Sequence, residues 1–457
     1  MEGVQKVQGL DVKGSFHRLG LLLALLSLGM VLSGCATLSK PDVDKRAVGL
    51  FQAQSEIPES ELLGIQIEVF DPGELPESEE QARGLSKEIR NAEARYIPVQ
   101  LKKAIQQTGL WGPVRVVPSR ASGAEVLLSG RIINSNGEIL ELEIDVYDAV
   151  GHHWFSKTYA GAVDSRMYDL AEKNRTEAFQ NVYNRIANDL TNYRLKMSAA
   201  QIKQIQRVAE LRFAEEMAPE VFGGYLKDSD DKNSTHSLAG LFKLSSDNDL
   251  KKIFSGFFGN SEKSDVNKGV YTIERLPAKD DDMMHRVRRM RQRDDLLVDI
   301  LDGHYEGLYQ DMQDTYTQWR SQRTKEIQMI REVEIKQQKE IAKGVAAVFV
   351  AVLVGAAASS GSNDTYNPGI VGTSGAIAVE GVRKIFEASN IGEEAEINRA
   401  ALEELGESFS ADVDPIVVEV EGRTVKLTGT AQAKYQQWRE VLGQLYEAET
   451  GFALETE

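Results

Sequence analysis

The stretch VLLSGRIINSNGEILELEIDVYD, residues 126–148, decides the fold of this chain. It contains two runs rich in aliphatic and β-branched residues, 126–133 and 139–148, with the polar segment Asn134–Gly137 between them. Two such runs joined by a short loop that contains glycine are typical of a β-hairpin. The sequence therefore predicts an antiparallel strand pair in this part of the chain.

The flanking segments extend this hairpin into a larger unit. Residues 62–70 (LLGIQIEVF) alternate apolar and polar side chains, as a half-buried strand does. Residues 86–108 have helical spacing, with Pro98 indicating a kink or a late start. Further segments complete the pattern: strands at 114–118 and 153–161, and a helix whose apolar face runs from Phe179 to Tyr193. The order strand, helix, strand, hairpin, strand, helix predicts an α+β fold.

This segment resembles the small periplasmic domain of curli-secretion lipoproteins, of lipoprotein activators of penicillin-binding proteins, and of the N-terminal part of the Tol-system β-propeller protein. The matching features are the early strand, the helix that leads to Val114–Pro118, and AEVLLSGRI running into LELEIDVYDAVG. The resemblance implies a binding or assembly module and not an enzyme.

The N-terminus has the features of a secretory leader. Residues 1–18 carry three basic side chains, and residues 19–32 (LGLLLALLSLGMVL) are apolar. Fourteen residues are too few to span a bilayer, which needs about 20. A basic start, a short apolar core and small residues after it indicate a signal peptide.

The end of this leader resembles the lipobox of bacterial lipoproteins, because Leu32, Ser33, Gly34 and Cys35 match Leu-Ser-Gly-Cys at each position. The resemblance implies cleavage between Gly34 and Cys35, with a diacylglyceryl group on the Cys35 sulfur and an acyl chain, such as palmitate, on its amine. The alternatives are an ordinary cleaved signal with a chance cysteine, or a buried free cysteine. Ala36, where enteric relatives retained at the inner membrane have aspartate, implies the outer membrane facing the periplasm.

Composition excludes several functions. The formal charge is −17, and a chain this acidic is expected to bind nucleic acids poorly, because phosphate contacts need clustered Lys and Arg. A single cysteine excludes a disulfide within the chain and a multi-cysteine metal site. We therefore expect no nucleic-acid partner.

A long helical pattern runs from about Asp281 to Ala358, which predicts a stalk or a coiled-coil arm. Five arginines between 286 and 293 lie near its start. Contact with lipid headgroups or an acidic partner is one interpretation. A solvated face neutralised by the neighbouring aspartates 281, 282, 294 and 295 is the favoured one.

Residues 344–361 of this pattern are apolar and uncharged, and residues 369–382 resemble them in composition. Small residues let helices approach closely in membranes, so a hairpin inserted in a membrane is one interpretation. Burial or self-association is the other, because Glu380 disfavours a second full span.

The C-terminal part contains a charged helix, a hairpin formed by 416–420 and 424–430, and a second helix with its apolar face at Tyr435, Trp438 and Leu442. The hairpin and helix are similar to part of a domain found in osmotically induced periplasmic proteins.

Motifs that carry chemistry are missing from the sequence. It contains no HExxH, no phosphate-binding loop and no G-x-S-x-G elbow. His152 and His153 are predicted at a surface turn, where adjacent side chains diverge. We therefore expect no enzyme, no catalytic residue, no metal and no cofactor.

The sequence thus predicts an α+β protein with a mixed N-terminal module, a long helical arm and a small C-terminal hairpin plus helix. The predicted segments are a signal peptide (1–34), a tether (35–60), the periplasmic module (61–195), a helix with a partly disordered linker (196–280), the arm with its Ala/Gly-rich hairpin (281–392) and the C-terminal piece (393–457). The predicted function is structural or adaptor work in a cell-envelope assembly, through an envelope protein partner or self-association. The alternative is an oligomeric pore or secretion-channel component.

Overall fold

A computed structural model describes residues 46–76, 85–120, 123–174, 176–228, 270–358, 397–404, 407, 415–420 and 423–450. The fold is α+β, as the sequence predicts. The described residues from 46 to 329 and from 397 onward form one compact unit, which we call the body.

A five-stranded mixed sheet forms the centre of the body, in the order β2-β1-β3-β4-β5. Its strands are β1 (Ile65–Glu68), β2 (Val114–Val117), β3 (Val126–Ser135), β4 (Ile139–Asp148) and β5 (His153–Ala162). β1 lies parallel to β2 and β3, whereas β3, β4 and β5 are antiparallel. The predicted hairpin 126–148 is confirmed as β3 and β4.

The turn of that hairpin depends on two residues. The Asn136 side-chain oxygen accepts hydrogen bonds from the backbone amides of Glu138 and Ile139. Gly137 has φ +90°, a conformation that side chains with a Cβ disfavour. A Cβ there would also lie 2.7 Å from the carbonyl oxygen of Arg320, so glycine allows the turn to approach a helix closely.

Two helices, α1 (Lys87–Gln106) and α3 (Gln180–Arg194), pack against the sheet. The other helices in this part of the chain are α2 (Ser165–Asn174), α4 (Ala199–Met217) and α5 (Pro219–Phe222). α1 begins at Lys87 with Ser86 as its N-cap and continues through Pro98, so the predicted late start is wrong. Buried aliphatic side chains from the sheet, α1 and α3 form the core, including Ile67, Ile97, Leu128, Ile144 and Ile186.

The long predicted helix is α6 (Asp282–Ala358), which continues through 77 residues. Its part before Ile330 belongs to the body, and the part from Ile330 belongs to a second unit. Leu301, Tyr305 and Tyr316 are buried in the core. The first two-thirds of the helix is therefore an integral part of the body, whereas the sequence suggested a stalk.

α6 also covers the β2 edge of the sheet. The Asp302 carboxylate accepts a hydrogen bond from the Val116 amide at 2.8 Å and pairs with Lys102 on α1 at 2.5 Å. Arg115 on β2 pairs with Asp299 at 2.6 Å. Natural sheets commonly protect an edge strand by covering it with a helix. The strand at the opposite edge is β5.

The remaining elements are two short strand pairs and two helical segments. β6 (Leu226–Asp228) pairs with β7 (Tyr271–Ile273) across the residues 229–269, which are not described. Residues 397–404 are helical, and β8 (Ile416–Val420), β9 (Arg423–Leu427) and α7 (Ala431–Thr450) form the predicted hairpin and helix. Trp438 and Leu442 on α7 are buried in the common core.

Candidate functional site

The predicted lipid-attachment residue Cys35 and its neighbours Gly34 and Ala36 lie outside the described residues. Cleavage and lipidation at this position stay predictions. The first described residue is Arg46, which lies inside the predicted tether 35–60.

From Arg46 onward this segment is attached to α3 by three asparagines. Asn181 accepts a hydrogen bond from the Val48 amide and donates one to the Arg46 carbonyl. Asn184 donates to the Val48 carbonyl at 2.7 Å. Asn188 accepts from the Phe51 amide and donates to the Gly49 carbonyl, both at 2.8 Å. We call these three residues the asparagine ladder.

The spacing of the asparagine ladder explains its geometry. Positions 181, 184 and 188 are three and four residues apart, so they share one face of α3. An asparagine amide offers both donors and an acceptor, which lets one side chain satisfy both polar groups of an extended backbone. The i, i+3, i+7 pattern was readable in the sequence, but its partner segment lies more than 130 residues away.

A second polar cluster joins α6 to the module through Glu93, which is fully buried on α1. Its carboxylate accepts hydrogen bonds from the Tyr316 hydroxyl at 2.7 Å and from the Ser135 hydroxyl at 2.5 Å. Arg90 donates to it at 3.3 Å. The buried charge therefore has partners from α1, the β3–β4 hairpin and α6.

Arg320 completes this connection on the next turn of α6. Its guanidinium binds both carboxylate oxygens of Glu177, at 2.7 and 2.9 Å, and lies 4.3 Å from the Tyr316 ring centroid. Burial, together with the charge of Glu93, raises the pKa of Tyr316 well above its ordinary value, so the phenol stays a hydrogen-bond donor. These buried contacts hold α1, the β3–β4 hairpin and α6 together, although the Nε atoms of Arg90 and Arg320 are buried without a hydrogen-bond partner.

A third cluster attaches α7 to the body. Arg439 on α7 pairs with Asp294 of α6 at 3.0 Å and with Glu216 of α4. Burial raises the pKa of Asp294 to about 6, against the opposing effect of Arg439. Two carboxylates share one guanidinium, so the cluster carries a net negative charge when both are ionised.

The arginines near the start of α6 have partners other than the predicted ones. Arg293 pairs with Glu449 of α7 at 2.9 Å, and Arg288 pairs with Glu210 of α4 at 2.6 Å. Asp294, predicted to neutralise the cluster, binds Arg439 instead. The prediction of a face neutralised by neighbouring aspartates is therefore wrong for Arg288 and Arg293, because α4 and α7 pack against this part of α6, whereas the charge of Arg291 does act on Asp295.

The two predicted turn histidines lie beside separate aspartates. His152 follows the β4–β5 turn with its Nδ1 at 3.3 Å from Asp148, and His153 opens β5 with its Nε2 at 3.5 Å from Asp145. The buried Asp148 also accepts hydrogen bonds from the His152 amide and the Trp154 indole. These contacts hold the turn, and the two imidazoles do not converge.

An open cleft of about 260 Å³ lies next to this turn. Its lining includes Asp148, His152, Tyr193 and Lys196, with Gln201 and Gln204 from α4. None of its lining residues is a serine, threonine or cysteine, so the cleft offers hydrogen bonds and charge but no hydroxyl or thiol nucleophile of those types.

The face of the sheet away from α1 and α3 is open over β3, β4 and β5. On β4, Glu141, Glu143 and Asp145 share this face because they are two residues apart. Glu143 pairs with Arg131 of β3 at 2.6 Å. The face is consequently polar and rich in carboxylates.

Metal ligands and membrane-spanning helices are the remaining features that the sequence raises. Within the described ranges, no group of three or more His, Cys, Asp or Glu side chains could hold a metal ion. Where side chains as well as backbone are described, none of the helices is long and apolar enough to cross a membrane. Residues 344–358 of the Ala/Gly-rich segment are helical, and residues 359–382 lie outside the described part.

Comparison with known proteins gave no match: no family model, no curated protein and no solved structure is significantly similar to this chain.

Proposed function

We propose that the protein is a membrane-anchored bacterial lipoprotein that acts as a structural or adaptor component of a cell-envelope assembly. The lipobox at Leu32–Cys35 motivates the anchor, with the body in the periplasm and the lipid in the outer membrane. The observation that carries the proposal is the asparagine ladder, which attaches the chain to the body soon after the predicted lipid.

The ladder sets how far the body can lie from the membrane. Arg46 follows Cys35 by eleven positions, and a fully extended chain of that length spans at most about 40 Å. A tether of 26 residues, as the segment 35–60 would give, could reach roughly 90 Å. The short reach confines the body near one surface, which raises its effective concentration for a partner in the same membrane.

The open sheet face is the surface that such a partner would contact. The face carries both signs of charge, because Glu143 pairs with Arg131 and Asp145 lies 3.5 Å from His153, and complementary charges on a partner would orient its association. The opposite face of the sheet packs against α1 and α3 in the core, so it is not available to a partner.

The test is membrane fractionation with an alkaline carbonate wash, on the natural chain and on Cys35→Ser carrying a conventional cleavable signal. The anchor proposal predicts that the natural chain stays with the membrane and that the variant becomes fully soluble. A natural chain that is washed off would overturn the proposal.

A pore or secretion-channel component is the second candidate. It is favoured by the continuation of α6 as helix to Ala358, so that the apolar, uncharged residues 344–358 are presented on a helix. In the same experiment, a Cys35→Ser variant that resists the carbonate wash would favour this candidate over the adaptor, because a second element would then hold the chain in the membrane.

A further inference from the structure

The solvent side of α6 contains an apolar strip that nothing in the described body covers. Leu296 and Ile300 are 64% and 48% exposed, and they lie one helical turn apart. Gly303 and Gly307 continue the same face, and a Cβ at either glycine would meet no described atom within 4 Å. We call these four residues the α6 outer strip.

Packing within the described body does not account for Gly303 and Gly307. Glycine in the interior of a helix lowers helix stability relative to alanine. A close approach of another backbone is a common reason for it, but no described element of the body approaches either position. The spacing of the four positions (four, three and four residues) is that of the seam between two packed helices.

We propose that a second copy of this chain packs against the α6 outer strip, with the two α6 helices antiparallel about a two-fold axis. With the axis midway between Leu301 and Asp302, residues equidistant from it face each other. Ile300 then lies opposite Gly303 of the second copy, and Leu296 lies opposite Gly307. Each large side chain fills the space left by a glycine, and the symmetry makes both halves identical.

Charge along the same face fits this arrangement. Arg289, whose side chain is 54% exposed and lies 3.8 Å from Glu449 of α7, precedes the strip, and Asp311 and Asp314 follow it. The antiparallel pairing places Arg289 opposite Asp314 of the second copy, twice by symmetry. A parallel pairing would instead place arginine against arginine and glycine against glycine, so that like charges meet and the space at the glycines stays unfilled.

The proposed contact runs along a long part of α6. From Arg289 to Asp314 the paired helices extend over roughly 38 Å at 1.5 Å per residue. This inference does not depend on the proposed anchor, because the strip lies on the body and self-association can be measured with Cys35→Ser as well as with the natural chain.

The test uses two tagged copies of the Cys35→Ser chain with a conventional cleavable signal, produced together, one with Leu296→Cys and the other with Gly307→Cys, and treated with a short bis-maleimide crosslinker. We expect a crosslinked dimer from this mixed pair and none from Leu296→Cys alone, since its two copies would lie about 16 Å apart along the helix axes. Crosslinking of Leu296→Cys with itself would overturn the antiparallel arrangement. A folded mixed pair that gives no crosslink would overturn the proposal.

A second measurement separates the interface from folding. The double variant Leu296→Glu/Ile300→Glu should weaken self-association at least tenfold in sedimentation, with an unchanged melting temperature of the monomer, because both side chains are exposed. Lys325→Glu, an exposed change further along α6, is the matched control and should leave the dimer intact. A dimer that persists in the double variant would contradict the proposal.

Discussion

The buried carboxyl group of Asp294 makes the stability of the body depend on pH. Asp294 is nearly excluded from solvent, and burial raises its pKa from the ordinary value of 3.8 to about 6. The folded protein therefore binds a proton at Asp294 between pH 3.8 and about 6 that the unfolded chain releases. This contribution to stability is fully present below pH 3.8 and is lost as the pH rises through about 6.

We predict that Asp294→Asn removes this part of the pH dependence. The difference in unfolding free energy between the natural chain and the variant should change by about 3 kcal/mol between pH 4 and pH 7.5, with the natural chain losing stability as the pH rises. Denaturant unfolding at several pH values measures it. A difference that is constant over this range would show that Asp294 does not titrate as described.

The partner Arg439 gives a sharper prediction. Arg439→Met would leave Asp294 and Glu216 buried without their shared cation, which typically destabilises a protein by about 3–5 kcal/mol. Arg288→Met is the control, because its pair with Glu210 is exposed and should contribute at most about 1 kcal/mol. Equal losses in the two variants, measured by denaturant unfolding, would contradict the assignment of Arg439 as the residue that docks α7.

At the scale of elements, the asparagine ladder makes the segment 46–53 part of the body. We predict that Asn181→Ala/Asn188→Ala abolishes hydrogen-exchange protection of the Val48 and Phe51 amides, because these asparagines accept their hydrogen bonds. Lys203→Ala, an exposed change on α4, should leave that protection unchanged. Persistent protection in the double variant would mean that other contacts hold the segment.

Element-level features differ in how far the sequence predicts them. The β3–β4 hairpin and α7 were predictable because alternation and helical spacing are local signals. The burial of α6 before Ile330 was not, because apolar spacing shows that a helix has a packing face but not what packs on it. The true partners of Arg288 and Arg293 were missed for the same reason, since Glu210 and Glu449 are distant in sequence.

For the molecule as a whole, two features connect its parts. The asparagine ladder brings the body close to the predicted lipid, and α6 joins the module and the C-terminal helix into one core. The anchor itself rests on the four residues Leu32–Cys35, because the structure describes the chain only from Arg46.

Mass spectrometry of the N-terminal peptide from the protein produced in bacteria with its own leader tests the central claim most directly. The account predicts a chain that begins at Cys35 and carries a diacylglyceryl group on its sulfur. A mature chain that begins elsewhere, or a Cys35 with a free thiol, would contradict the lipoprotein assignment.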